Sequence, residues 1–202
     1  MKIGIIVGSH RKVSNSAKVG RYAAEACKRL IPNASTWTLD LANNPLPLWD
    51  EGVWQGAKEW KDAWGNISRD LTASDGFIVL APEYAGMVPA ALKNFFLLAD
   101  KTEVGHKPGL IVGVSSSRGG SYPVAELRVS SYKNCRINWV PDHMIVRDAD
   151  TVLNGPTFAN ETDKFTRERL DYCIALFGEY AKALRLVRSS GVIDYKTHPN
   201  GM

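Results

Sequence analysis

The chain has 202 residues, 45% of them hydrophobic, which is enough for one substantial core and a single domain. Its formal net charge of +4 is spread over interspersed Lys, Arg, Asp and Glu, which argues against the concentrated basic face of a nucleic-acid binder. No apolar run reaches the roughly 18 residues of a membrane span, and the widely spaced Cys27, Cys135 and Cys173 suggest neither a disulfide framework nor a C-x-x-C site.

Ile3 to Val7 is a short apolar run closed by Gly8-Ser9, the pattern of a buried first strand. From about Ser16 to Leu30, Val19, Ala23, Ala26, Cys27 and Leu30 recur at helical spacing, and Pro32 ends the helix. Its basic residues, Arg11 excepted, read as a solvated face. Residues 36–41 suit a second strand, and the Pro-rich stretch 43–49 is a loop. Residues 54–73 are helical and aromatic, with Trp60 and Trp64 on one face.

Residues 76–81 form a third strand, apolar on both faces as a central parallel strand should be. Pro89 opens a helix to about Ala99, and residues 110–114 form a fourth strand. The polar glycine loop 115–121 precedes another helix, to about Tyr132. A weaker strand lies within residues 139–146. A last helix spans about 160–187, with the stripe Cys173, Phe177, Tyr180, Leu184 and Val187. The expected layout is one domain over 1–188 and a polar tail, 189–202, loosely packed unless a partner subunit holds it. Strands alternating with helices call for a parallel sheet covered on both faces. The predicted fold is a flavodoxin-like three-layer α/β sandwich with five strands in the order 2-1-3-4-5.

Ligands of such sheets bind outside the carboxyl ends of the strands. The loop after strand one combines Gly8 with hydroxyls at Ser9, Ser14 and Ser16, an amide at Asn15 and a charged fork at Arg11, all beside a helix N-terminus. That composition suits a phosphate monoester, whereas a plain capped helix start needs only one of these residues. Neither a G-x-x-x-x-G-K-[ST] nor a G-x-G-x-x-G stretch is present, which argues against a P-loop or a bridging pyrophosphate site. In the loop after strand three, Tyr84 and Met87 could lie beside a flat ring, although a plain turn with Tyr84 in the core would have the same sequence. The four histidines are scattered, and no metal site is expected.

Three stretches together resemble the NADPH-dependent FMN reductase-like flavoproteins, a family of flavodoxin-like fold that includes quinone, chromate and azo reductases. They are Gly8–Ser16, the Asp40–Leu48 stretch DLANNPLPL, and Pro82-Glu83-Tyr84-Ala85-Gly86-Met87-Val88-Pro89 with the following Ala90–Asn94. The resemblance implies that Ser9, Arg11, Ser14, Asn15 and Ser16 hold the FMN phosphate. It implies that Pro82, Glu83, Tyr84, Ala85 and Gly86 flank the ribityl chain and isoalloxazine, and that Ser115, Ser116, Gly119 and Gly120 form a third wall. Ala85 stands where the family often carries Asn, and Met87 where Ser is common.

The implied protein is an FMN-dependent oxidoreductase that uses NAD(P)H to reduce a small acceptor such as a quinone, free flavin, azo compound or metal oxyanion. No side chain needs to act as acid or base, since the cofactor carries the chemistry. The alternatives are an FMN electron carrier without nicotinamide use and a non-catalytic binding module. The cysteine pattern and the absence of a visible leader lead to an expected cytoplasmic location. Trp49, Trp54, Trp60, Trp64 and the run Phe95–Leu98 exceed one core-facing stripe, so a homodimer or homotetramer through these helices is expected.

Overall fold

The computed structural model describes residues 1–201. In chain order its elements are β1 (Lys2–Val7), α1 (Asn15–Leu30), β2 (Ser35–Asp40), α2 (Gly52–Gln55), α3 (Lys58–Thr72), β3 (Gly76–Pro82), α4 (Ala90–Leu98), α5 (Lys101–Val104), β4 (Pro108–Val114), α6 (Ser121–Ser130), β5 (Asn138–Trp139), β6 (Met144–Val146) and α7 (Glu161–Arg188). All strand pairs are parallel, in the order β2-β1-β3-β4, and β5 and β6 both pair with the free side of β4. The predicted fifth strand is thus one edge strand in two pieces. β5 lies opposite Pro108 and Gly109, and β6 opposite Val112 to Val114. Between them Pro141 has no N–H to give the ladder, a break tolerated only at an edge.

The sheet order is the flavodoxin-like one, and both faces are covered. β3 and β4 are buried along their whole length. Alternate residues serve opposite layers. Ile5, Ile78, Leu80 and Leu110 pack with Val19 and Cys27 of α1 and with Leu170, Ile174 and Phe177 of α7. Ile6, Phe77, Val79 and Ile111 pack with Leu71 of α3, Leu92 and Phe95 of α4, and Leu127 of α6. All three cysteines are free and buried.

Several local features differ from the pattern read along the chain. The helix expected over 54–73 is split, because Gly56 takes a left-handed φ of 65° and its neighbour Ala57 closes α2 on Gly52 O. The short helix α5 is an addition, and its signal was an Asp100…Glu103 capping box. On α7 the buried stripe is Leu170, Cys173, Ile174, Phe177 and Ala181. The helix then outruns the sheet, and Val187 is exposed.

The C-terminal tail is not loose. Tyr195 stacks on His106 with ring centroids 6.2 Å apart, and Arg136 lies 5.1 Å over the Tyr195 ring and donates to His198 O. The tail therefore folds back on the amino end of β4. Lys18 also departs from the solvated helix face expected of it. Its ammonium donates to Ala149 O, Val152 O and Asn154 Oδ1, tying α1 to the segment before α7.

Lys107 is buried at the start of β4, where its ammonium donates to Leu71 O and Thr72 O, both at 2.8 Å, and caps α3. Burial first, and Arg188 second, push its pKa down to about 8. The unfolded chain keeps this lysine protonated to about pH 10. Between about pH 8 and 10 unfolding therefore takes up a proton, and stability rises with pH across that window. The stability of the wild type relative to Lys107→Met, from urea denaturation, is expected to grow between about pH 7 and 10. A difference independent of pH would contradict this environment for the lysine.

Candidate functional site

Parallel pairing sends the loops after β1, β3 and β4 to one edge of the sheet. β1 lies between β2 and β3, so its outgoing loop sits where successive connections diverge to opposite faces. The first loop is pinned by Gly8, whose amide donates to Leu80 O at 2.9 Å. A Cβ at Gly8 would come within 2.7 Å of Leu80 O and 2.6 Å of Leu92. Glycine is needed there for close packing on β3 and α4, not for the approach of a ligand as its place in the loop suggests.

The three loops enclose a cavity of about 210 Å³. Arg11, Ser14, Asn15 and Ser16 line it from the first loop, Pro82, Glu83 and Tyr84 from the second, and Ser115, Ser116 and Ser117 from the third. A more open cavity of about 550 Å³ shares Arg11, Ser14, Asn15 and Ser116 and extends to Lys18, Arg21 and Asp150. The Arg11 side chain is exposed and makes no ion pair among the described residues. Ser14 is the N-cap of α1 and accepts from Ala17 N at 3.1 Å. Helix geometry leaves the first amides of α1, at Asn15 and Ser16, without intrahelical partners.

Polar bridges tie the loops together. Ser9 is fully buried and shares a 2.7 Å hydrogen bond with the Tyr84 hydroxyl, while His10 packs edge-on against the Tyr84 ring at 5.3 Å. Tyr84 therefore joins the first two loops and is not simply a core residue. Asn15 donates to Ser116 Oγ at 3.1 Å and to Asp150 Oδ1 at 2.8 Å, so its amide bridges loops. The bond from Asn15 holds the Asp150 carboxyl below the usual range. Glu83 accepts from Gly120 N at 2.6 Å, and a Cβ at Gly119 would lie 2.7 Å from its Oε1. Gly120 is buried with φ 103° and packs on Ile145.

Ser9, Gly119 and Gly120 do not line the cavity, and neither do Ala85 and Gly86, which follow Tyr84 in the second loop. Tyr84 and Met87 pair in an antiparallel bridge, and between them Ala85 (φ 50°) and Gly86 (φ 73°) form a turn with two positive φ angles. Nothing lies within 4 Å of a Cβ at Gly86, so the turn is open on that side. Val88, just beyond, donates to Glu126 of α6 at 2.7 Å. Asp150, Lys18 and Glu126 were not foreseen as part of this edge. Lys18 and Asp150 carry no local motif, and they meet only because the segment before α7 returns beside α1.

Three loops thus converge on a polar cleft with neutral donors, the free Arg11 guanidinium and a helix N-terminus, and an open backbone turn follows in the second loop. Residues 1–151 match the family described as NADPH-dependent FMN reductase, and the chain belongs to that family of oxidoreductases. It is similar to a 2-hydroxy-1,4-benzoquinone reductase from Burkholderia sp (27% identity, 85% of this chain and 93% of that one). It is also similar to an NAD(P)H-dependent FMN reductase from Schizosaccharomyces pombe (30% identity, 67% of this chain and 68% of that one). Among solved structures, the flavoenzyme NAD(P)H:(acceptor) oxidoreductase FerB from Paracoccus denitrificans shares the fold, with a TM-score of 0.70, 20% identity and coverage of 90% and 97% of the two chains.

The turn makes a stability test. A non-glycine residue at φ 50° is strained, and asparagine tolerates this region better than alanine. Ala85→Asn is expected to stabilise the fold by about 1 kcal/mol and to raise the thermal midpoint. A lower midpoint would mean that the turn holds alanine without strain.

Proposed function

We propose that this protein uses bound FMN to pass reducing equivalents from NAD(P)H to a small acceptor such as a quinone, a free flavin, an azo compound or a metal oxyanion. The observation that carries this reading is the convergence of three loops on one polar cleft at the carboxyl edge, with the open turn 85–86 beside it. The residues fit the group. Arg11 brings an uncommitted charged fork, the start of α1 brings amides and the positive end of its dipole, and Ser14, Ser16 and Ser115–Ser117 bring small hydroxyls. The amides of Ala85 and Gly86 make no backbone hydrogen bond among the described residues, which suits them to carbonyls and ring nitrogens of an isoalloxazine. FMN, when bound, supplies the hydride and electron chemistry, so no side chain is assigned a proton-transfer role.

Within this reading the residues divide their work. Arg11, Ser16 and the amides of α1 meet the phosphate, and Asn15 acts mainly by fastening the third loop to the first. Glu83 holds the third loop closed through Gly120 N. Tyr84 is restrained by Ser9 at one end and by the 84–87 turn at the other, which keeps the ring-side wall rigid without a ligand.

The same reading includes a homodimer, with its surface relocated. Trp60 is buried and donates to Asp50, Trp64 donates to Glu103 and packs on Phe95, and Phe96 packs on Trp139. The chain thus absorbs most of the aromatic area thought to need a partner. Trp54 stays 77% exposed beside Trp49, and a second exposed apolar group follows α4 and α6, which are bridged by Lys93 and Glu126. Leu97, Tyr122 and Val129 are 63%, 66% and 80% exposed, and Met87 lies at the neighbouring turn. A second copy seated there would cover these residues and wall the ring side of the cleft.

Three measurements test the proposal. Arg11→Ala is expected to weaken FMN binding by about 2 kcal/mol and to leave riboflavin affinity almost unchanged. Equal losses for both ligands would remove Arg11 from the phosphate site, and a protein that binds FMN without oxidising NAD(P)H in the presence of a quinone would be an electron carrier. Light scattering at micromolar concentration is expected to give a dimer or dimer of dimers, with Leu97→Glu shifting it toward monomer. A fully active monomeric wild type would contradict the interface.

A further inference from the structure

The opposite end of the sheet holds a cavity that the oxidoreductase reading does not use. It has a volume of about 420 Å³ and is bounded by residues after α6 and by β5. Arg128, Lys133, Arg136 and His106 line it together with the rings of Tyr132 and Trp139, and no Asp or Glu does so. The cavity touches Asn138 and Trp139, which lie opposite Pro108 and Gly109 at the amino end of β4, whereas the flavin cleft touches Val114 at its carboxyl end. The six steps from Pro108 to Val114, at about 3.3 Å each, put the two sites about 20 Å apart, too far for one mononucleotide to serve both.

The fold accounts for Arg128 but not for every cation here. Arg128 donates to Val140 O and Pro141 O, and its place in the last turn of α6 suits the negative end of the helix dipole. Arg136 has a left-handed φ of 58°, held by bonds from its own amide to Tyr132 O and from His106 N to its carbonyl, both 2.8 Å. One of its guanidinium nitrogens reaches His198 O, but its Nε is buried with no hydrogen-bond partner among the described residues. A buried charged donor left unpaired is costly. Lys133 is exposed and makes no ion pair among the described residues. His106 is held below its ordinary pKa, first by burial and then by Arg136 and Arg188, as expected where positive charge already crowds the site.

We propose that this cavity binds a phosphorylated anion carrying a flat ring, of the class of a nucleoside monophosphate, at a site separate from the flavin cleft. The phosphate would meet Lys133 and Arg136, which have donors to spare, and offset their mutual repulsion. The ring would lie along Tyr132, which is 45% exposed, and the edge of Trp139. The volume lies within the usual range for a small-molecule pocket.

Calorimetric titration of the FMN-saturated protein with AMP, inorganic phosphate and adenosine tests this. AMP is expected to bind at one site per chain, phosphate at least about tenfold more weakly, and adenosine more weakly still. Lys133→Met, an exposed position, is expected to weaken AMP about tenfold with FMN content and NADPH oxidation unchanged. Arg136→Lys, which keeps a charge near the tail, is expected to weaken AMP while the thermal midpoint stays close to that of the wild type. No AMP binding, or equal AMP affinity in the wild type and Lys133→Met, would overturn the site. Phosphate or adenosine binding as tightly as AMP would overturn the assignment of ligand class.

Discussion

Gly8 N donates to Leu80 O, and the organisation of the carboxyl edge depends on the approach of β1 to β3 that this bond records. The two strands run parallel with Val7 opposite Leu80, and β4 follows with Val114 opposite Pro82. Each strand therefore releases its chain within a residue or two of its neighbour. Three loops that are far apart in sequence leave the sheet side by side. Any side chain at Gly8 would wedge β1 from β3 and displace the first loop from the other two.

From that starting point the loops are locked by short polar bonds, not by apolar packing. Ser9 to Tyr84, Asn15 to Ser116 and Asp150, and Gly120 to Glu83 each join two segments of different sequence origin. Bonds of this kind leave a hydrophilic cleft with a defined shape, which suits the proposed binding of a phosphorylated ligand without large rearrangement. Exposed apolar side chains lie instead on α4 and α6, at Leu97, Tyr122 and Val129, and at Trp54.

The amino ends of the strands follow a different electrostatic plan. There Asp75 accepts from Lys2 N and from both forks of Arg185, with Arg188 close by, while Lys107 caps α3 from within the core. Asp75 satisfies the cations on the α7 side. Those on the α6 side, around Arg136, form no ion pair among the described residues, although Asp194 of the tail lines a neighbouring pocket with Arg136. The tail covers this end through Tyr195 and His198, so residues remote from the carboxyl-edge cleft have a structural role of their own.

The alternation of apolar runs with helical stripes made the sandwich and its strand order legible, because strands buried on both faces and helices buried on one leave different periodicities. The polar loops after β1 and β3 were legible as candidate sites for a related reason: small polar residues, glycine and a helix start must be contiguous to form one. What the sequence could not show was which of those residues face the cleft. Ser9 turned out to join loops from outside the lining, Asn15 to line the cleft and join loops at once, and Gly8 to allow strand packing, since a hydroxyl or amide satisfies a neighbouring loop as well as a ligand. Lys18, Asp150 and Glu126 carried no local signal, and the Arg136 cavity arose from a left-handed residue meeting a returning tail. Local patterns determine elements and the composition of their loops, whereas hydrogen-bond partners across more than a hundred residues are chosen only when the sheet has brought them within about 3 Å.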